Sequence, residues 1–476
     1  MDKSRHRRQP LKFRLIMKPT ILFGGLTEAH DRLIKAVLEG FGYSAQYLPT
    51  PDNEALRIGK EYCNKGECNP VYYTVGNLLK YLFRLREKGI EDIENKYVFV
   101  TVGSCGPCRF GMYETEYRKA LREAGFGNFK VIALDQSKAL TEELNEVGLN
   151  LTRNLIEALL KAVILGDLIN DIYYQVKPYE TIEGQTDRWK EEALNILEGT
   201  LRGRKNLLKP LKEIKRLLST VEVNYLIPKP RVRIIGEFFA QTTEGEGNYK
   251  LARWLIQEGA QPVVEPVTGW IDYLIYQKWL DTKIDPSLSK REKLSLFFKL
   301  KFLTLYVRFT YELYRRLLGN KPFPLKKTEK LAQLAASYYH PRLVGGEGYL
   351  EVAKHIYSFK YRSADLVVSV KPFGCMPSTQ SDGVQSKVAE DIGSLFVSVE
   401  TSGDAEANVK SRILMKLYEA KIKAREEFEQ TKLKLNITDE KINLLLAKKG
   451  EIKRADTVLP EVSSVTAVNA LHYLVD

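Results

Sequence analysis

Five residues carry most of the chemical promise of this 476-residue chain: Cys63, Cys68, Cys105, Cys108 and Cys375. Thiolates are soft ligands that suit zinc and iron–sulfur clusters. An odd number of cysteines in a long chain is a poor disulfide framework. One isolated cysteine would read as a small buried hydrophobe; two close pairs with a fifth at a strand end point instead to metal or redox chemistry in a reducing compartment. Cys105 and Cys108 lie in GSCGPCRFG, directly after the apolar run YVFVTV (97–102), and Cys375 lies in KPFGCMP, directly after LVVSV (366–370). Cys68 precedes Asn69-Pro70, read as the N-cap and first turn of a helix. Glycines at 103, 106, 111 and 374 let backbone approach a bulky group closely.

Two ligand sets fit these positions. Cys63-x4-Cys68 with Cys105-x2-Cys108 would close a tetrahedral zinc site of four thiolates, which leaves Cys375 without a role. Alternatively, three distant segments converge outside the carboxyl ends of parallel strands, where free helix N–H groups favour thiolates and net-negative clusters. Glu67, Arg109, Glu114 and Lys371 sit beside these cysteines; each reads equally as a ligand-side group or as an ordinary structural charge.

Other motifs offer less. No Walker A pattern is present, so ATP binding through a P-loop is not expected. TEGEGNY (243–249) and VGGEGY (344–349) lack dinucleotide-fingerprint spacing and read as loop glycines, with a phosphate contact as the weaker alternative. The histidines at 6, 30, 340, 355 and 472 are scattered. The aromatic stripe at 297–314 reads as helix core or as a partner surface.

The elements that must position the cysteines follow from periodicity. Short apolar runs at TILF (20–23), AQYL (45–48), YVFVTV (97–102) and FKVIAL (129–134) alternate with amphipathic stretches. Thr27 caps a helix to about Gly40, with Ala29, Leu33, Ile34, Val37 and Leu38 on one face. Pro70 opens a helix to about Glu87, and another runs from Tyr113 to Ala124. This alternation predicts a parallel sheet with helices on both faces. After a mainly helical stretch, RVRIIG (231–236), PVVE (262–265), LVVSV (366–370) and LFVSV (395–399) repeat the pattern.

The expected fold is α/β: two flavodoxin-like, doubly wound parallel-sheet domains with a helical connector, a helical insertion and a helical carboxyl-terminal tail. The expected boundaries are a basic leader at 1–17, a first α/β domain at 18–136 with Cys68, Cys105 and Cys108, and a connector at 137–228. A second α/β domain follows at 229–407, with an insertion at 270–340 and Cys375, then a basic tail at 408–476. The net charge of +13 is concentrated at the two ends. Residues 1–18 contribute +6 and residues 410–454 another +6, leaving the body near neutral. With no recognisable nucleic-acid module beside either patch, a solvated or anion-attracting tail is the better reading. No uncharged run is long enough for a membrane span, and the apolar stretch at 154–172, broken by Lys161 and Asp167, reads as a buried helix. A cytoplasmic protein without nucleic-acid or membrane partners is expected.

ECNPVYYTVG (67–76), GSCGPCRFGMY (103–113), RVRIIGEFF (231–239) and KPFGCMP (371–377), in this order, resemble the 2-hydroxyacyl-CoA dehydratase component family. The likeness is to its branch of CoA-protein-activase-related, benzoyl-CoA-reductase-like proteins, and it runs from about residue 18 to 418. The resemblance implies two flavodoxin-like domains facing a cleft that holds a [4Fe–4S] cluster or, in some members, a double-cubane cluster. It implies Cys68, Cys108 and Cys375 as the three cluster ligands, with Cys105 able to close a fourth position. A double cubane calls for more cysteines than five, so a single cubane is expected. The resemblance further implies a separate ATP-dependent iron–sulfur activator that delivers low-potential electrons, and an acyl-CoA substrate that loses a hydroxyl through a ketyl radical. It also implies a homo- or heterodimer. The chain is therefore expected to be a lyase or oxidoreductase component of this type. The alternatives are a non-catalytic electron-transfer or regulatory iron–sulfur subunit and, third, a structural zinc protein.

Overall fold

The computed structural model describes residues 18–103, 108–134, 144, 148–343 and 346–475. The basic leader and Cys105 lie outside these residues. In the first half, β1 (Thr20–Phe23), α1 (Glu28–Gly40), β2 (Ala45–Tyr47), α2 (Asn53–Tyr62), α3 (Asn69–Glu87), α4 (Ile93–Lys96), β3 (Tyr97–Val102), α5 (Tyr113–Glu123) and β4 (Lys130–Leu134) follow in turn. All pairings are parallel, in the order β2-β1-β3-β4. The predicted cap holds: Thr27 accepts the His30 N–H and opens α1. Its apolar face buries Ala29, Leu33, Ala36, Val37 and Leu38 against the sheet and connector.

Three helices form the connector: α6 (Arg153–Val176), α7 (Gln185–Arg202) and α8 (Leu208–Leu218). The second half then contains β5 (Arg231–Gly236), α9 (Phe238–Thr242), α10 (Leu251–Gln257) and β6 (Gln261–Val264). The insertion comprises α11 (Val267–Ile284), α12 (Lys290–Leu317) and α13 (Thr328–Ala335). After it come α14 (Tyr349–Lys360), β7 (Leu366–Pro372), α15 (Met376–Ile392) and β8 (Phe396–Thr401). The order β6-β5-β7-β8 repeats that of the first sheet, again all parallel. The expected two-domain α/β architecture is thus what the chain adopts.

The carboxyl-terminal region, α16 (Glu406–Lys434), α17 (Asp439–Lys448) and α18 (Thr466–Val475), is helical as expected, but it is no free solvated arm. Val409, Ile413, Leu417 and Ala420 of α16 belong to the core of the second sheet. Ala424 and Phe428 continue into the core of the first half, which Val468, Leu471 and Leu474 of α18 complete. The basic residues mask this in the sequence because they occupy the outer face of a helix whose inner face is apolar.

Two polar devices join the halves. Within the apolar helix α6, the buried Asp167 accepts hydrogen bonds from the N–H groups of Val267 and Thr268 at 2.7 Å each and from Thr268 Oγ1 at 2.5 Å, so it caps α11. His30 Nε2 lies 3.1 Å from the same carboxylate. Its ring packs so closely that a Cβ on Gly166 would fall 2.5 Å from Cδ2. The second device is the loop 243–247. Glu244 accepts from the Glu28 N–H at 2.7 Å, and Glu246 accepts from the Asn53 N–H at 2.5 Å. Two carboxylates of the second half thus occupy the amino ends of α1 and α2, where orphan N–H groups and helix dipoles favour negative charge. Gly245 between them is pressed against the first half: a Cβ there would lie 2.6 Å from Pro51 O. The glycines of TEGEGNY therefore serve a clamp between halves, not a dinucleotide turn.

Candidate functional site: three cysteines at three helix starts

In both sheets the order reverses between the first and third strands in sequence, β1 and β3 in one and β5 and β7 in the other. Open α/β sheets bind ligands outside the carboxyl ends of such strands. Cys108 follows β3 and Cys375 follows β7, the equivalent strands of the two halves. Glu237 directly follows β5.

Each described cysteine of this group occupies a helix N-cap. Cys68 caps α3, Cys108 caps a short 3-10 turn (Arg109–Met112), and Cys375 caps α15; none has a side-chain capping hydrogen bond. Here the structure corrects one sequence expectation: Asn69 is the first residue of α3, and the cap is Cys68 itself. Cys68-Asn69-Pro70 and Cys375-Met376-Pro377 share one local design, with proline fixing the first turn where its missing N–H costs nothing. Asn69 is freed to tie the halves together. Its N–H donates to Phe373 O at 3.0 Å and its side-chain amide to Thr401 O at 3.2 Å. Gly374 lies beside the Cys68 backbone, and its left-handed φ of +79°, not lack of space, is what calls for glycine there.

Cys68 and Cys375 are 7% and 6% exposed, and Cys108 is half-buried. Glu237 lies within electrostatic reach of all three thiols, and Cys68 and Cys108 also sense each other. The Tyr113 hydroxyl, at the start of α5, sits 3.0 Å from Cys68 Sγ. Glu347 reaches into the same cleft, accepting the Phe238 N–H at 3.1 Å. Burial pushes the Cys68 thiol up to about 12 and the Cys108 thiol up to about 11, and it raises Cys375 further. Without a cation these groups stay protonated near neutrality. Burial likewise pushes Glu237 up to about 7, and burial with the neighbouring Glu237 holds Glu347 well above the ordinary carboxyl range.

Cys63 stands apart. It follows α2 in the core with α3 and α5, its charged neighbours are Glu116, Lys119, Glu67 and Glu123, and Glu237 is not among them. Of the charged residues beside the motifs, Arg109 hydrogen-bonds the Gly66 carbonyl and so ties the Cys108 turn to the loop before Cys68. Glu67 has a buried carboxylate oxygen with no hydrogen-bond partner. Glu114 pairs with Arg118 at 2.7 Å and Lys371 pairs with Asp382. Sequence reasoning missed Tyr113, Glu237 and Glu347. The strand-end rule that flagged the cysteines would have flagged Glu237, since it follows RVRIIG without a gap. Nothing local marks Tyr113 or Glu347.

Among the described residues no group of three or more His, Cys, Asp or Glu side chains is arranged to hold a single metal ion. A lone ion requires its ligands to meet at one point, about 2.3 Å from each sulfur for zinc. A cluster has several irons, each taking its own thiolate, so its ligands surround a volume instead. The three cysteines at helix starts are brought into one neighbourhood, with Glu237 within electrostatic reach of each. No protein-family model matches the sequence, and no curated protein matches it.

Proposed function

We propose that Cys68, Cys108 and Cys375 hold a [4Fe–4S] cluster between the two α/β halves, and that the chain acts as a component of the 2-hydroxyacyl-CoA dehydratase type. On this reading a separate ATP-dependent iron–sulfur partner reduces it, and an acyl-CoA or another small molecule is its substrate. The observation that carries the reading is the convergence of three uncapped cysteine N-caps, from both halves, around Glu237. When bound, such a cluster supplies single electrons at a potential set by its surroundings.

The chain's own residues have definable tasks. Cys68 and Cys375 sit at the positive ends of the α3 and α15 dipoles, which offsets the cost of burying thiolate charge. The Tyr113 hydroxyl is placed to donate to the Cys68 sulfur, and such bonds raise a cluster's potential. Arg109 and Asn69 hold the cysteine-bearing loops against one another. Glu237 and Glu347, raised by burial, keep a proton on the cleft wall near neutral pH. With Cys68, Cys108 and Cys375 alone as ligands, such a cluster would keep one position open to a substrate; Cys105 as a fourth ligand would close it.

The test is anaerobic purification with iron, zinc and acid-labile sulfide analysis. Iron and sulfide in equal amounts, near four of each per chain, is the expected result. Zinc without sulfide would reject the reading. A cluster that a low-potential donor reduces, but that turns over no 2-hydroxyacyl-CoA, would place the chain in the electron-transfer class instead.

A further inference from the structure

The α11–α12 hairpin has two apolar faces and only one of them is covered. On the inner face Trp279 of α11 packs on Phe297 of α12 with ring centroids 4.8 Å apart, and Val307, Tyr311 and Tyr314 are buried toward the body. On the outer face Leu294, Phe298, Phe302, Leu305 and Phe309 are 56%, 60%, 66%, 58% and 67% exposed. They recur at intervals of four, four, three and four residues, which lays them in one narrow stripe along a straight helix. From Lys290 to Tyr306 no residue of α12 is fully buried, and the helix meets the connector at Tyr306, which bonds Glu157 of α6. The first half of α12 is basic: Lys290, Arg291, Lys293, Lys299 and Lys301 stand against Glu292 alone. At 100° per residue, Lys290 and Lys301 flank the stripe on one side and Lys299 on the other.

We propose that this outer face lies on the surface of an anionic phospholipid bilayer, with Phe298, Phe302 and Phe309 at the boundary of headgroups and acyl chains. The flanking lysines would meet lipid phosphates. An exposed Phe/Leu stripe with basic flanks is the pattern of a helix lying in the plane of the interface. The attachment is peripheral: among the described residues no helix is long and apolar enough to cross a membrane. The sequence expectation of no membrane partner rested on the lack of a span, which this mode does not need. Charge argues against a second copy as the occupant, because two such faces would bring like charges together. Spacing alone does not separate the two, because Phe298, Phe302, Leu305 and Phe309 recur at four, three and four residues as a heptad seam would; the basic flanks do. The proposal is independent of the cluster.

The test is co-sedimentation of the full chain with vesicles of phosphatidylcholine alone and of phosphatidylcholine mixed with phosphatidylglycerol. Binding to the anionic vesicles is expected, weak binding to the neutral ones, and release at about 1 M salt, where the screening length falls to about 3 Å. The triple variant Phe298→Ser, Phe302→Ser, Phe309→Ser should keep the wild-type melting curve, because these rings are already in solvent, and should bind at least about tenfold less. Lys290→Glu with Lys299→Glu and Lys301→Glu should abolish the preference for anionic lipid. The proposal is overturned by absence of binding to anionic vesicles, or by unchanged binding of the triple Phe variant. A lipid-free dimer that the triple variant dissolves would likewise overturn it, assigning the stripe to self-association.

Discussion

Burial raises the thiol pKa of all four described cysteines, yet their surroundings differ in kind. Cys68, Cys108 and Cys375 begin helices and share Glu237 as a neighbour; Cys63 ends a helix and faces Glu116 and Lys119. Replacing Cys68, Cys108 or Cys375 by Ala, one at a time, should therefore cost most of the iron per chain, measured anaerobically. Cys63→Ala should retain the iron and lose only the packing of a small buried side chain, about 1 kcal/mol. Retention of iron by Cys375→Ala together with its loss from Cys63→Ala would favour the grouping of Cys63, Cys68, Cys105 and Cys108 over the set that includes Cys375. The region of the three cysteines was legible in the sequence, because Cys108 and Cys375 come after strand ends and Cys68 precedes Asn69-Pro70, but the sequence pattern points to Asn69, and not to Cys68, as the cap of α3. The carboxyl pair Glu237 and Glu347 was not legible: these residues are far apart in the chain and meet only because α9 and the loop before α14 cross the same cleft.

At the scale of elements, strands and helices followed from apolar runs and caps, down to Thr27. What the sequence hid were polar groups whose partners lie in another element. Asp167 looked like a charge interrupting an apolar helix, yet it is the cap of α11. His355 on α14 is a second case. Its ring stacks on Phe396 of β8 at 4.6 Å, Nε2 lies 2.8 Å from Ser394 Oγ, and Nδ1 has no partner. Burial pushes its pKa down from 6.5 to about 4. The unfolded chain therefore binds a proton that the folded one does not, and stability is lost as pH falls from 6.5 toward 4. Relative to His355→Gln, the wild type should lose on the order of 3 kcal/mol across that window and show no pH-dependent difference above it. Parallel acid melts of the two proteins measure this; parallel curves would contradict it. The 243–247 clamp makes a sharper element-level prediction. Gly245→Ala sets a methyl against the Pro51 carbonyl, which is backbone and does not yield. The loop should lift, at a cost of about 1–3 kcal/mol in thermal melts. Glu244→Gln, which keeps a carbonyl oxygen for the Glu28 N–H, should cost less.

The molecule as a whole is closed by its own end. α16 begins on the second sheet and finishes on the core of the first half, where α18 then packs. Ending the chain at residue 460 removes Val465, Ala467, Val468, Ala470, Leu471 and Leu474, each at most 3% exposed. Such a chain should lose its cooperative melting transition and bind a hydrophobic dye. A sharp transition at the wild-type temperature would show that the tail is dispensable. The sequence pointed the other way because its charges are plain to read, whereas the apolar face they surround is recognisable only once its partner surface is known.

The clamp between the halves also sets an order of events in the life of the chain. Synthesis yields Cys68 and Cys108 long before Cys375 exists, and α1 and α2 long before Glu244 and Glu246 can reach them. Until those two carboxylates arrive, the amino ends of α1 and α2 lack these partners and the cleft has only one wall. An inorganic group delivered to the nascent first half would find two thiols and no third. If the proposed cluster is the group in question, its loading should wait until the second half has docked, and a chain that fails to dock should stay empty. On that reading folding would act as a checkpoint on maturation, and iron content would read it out.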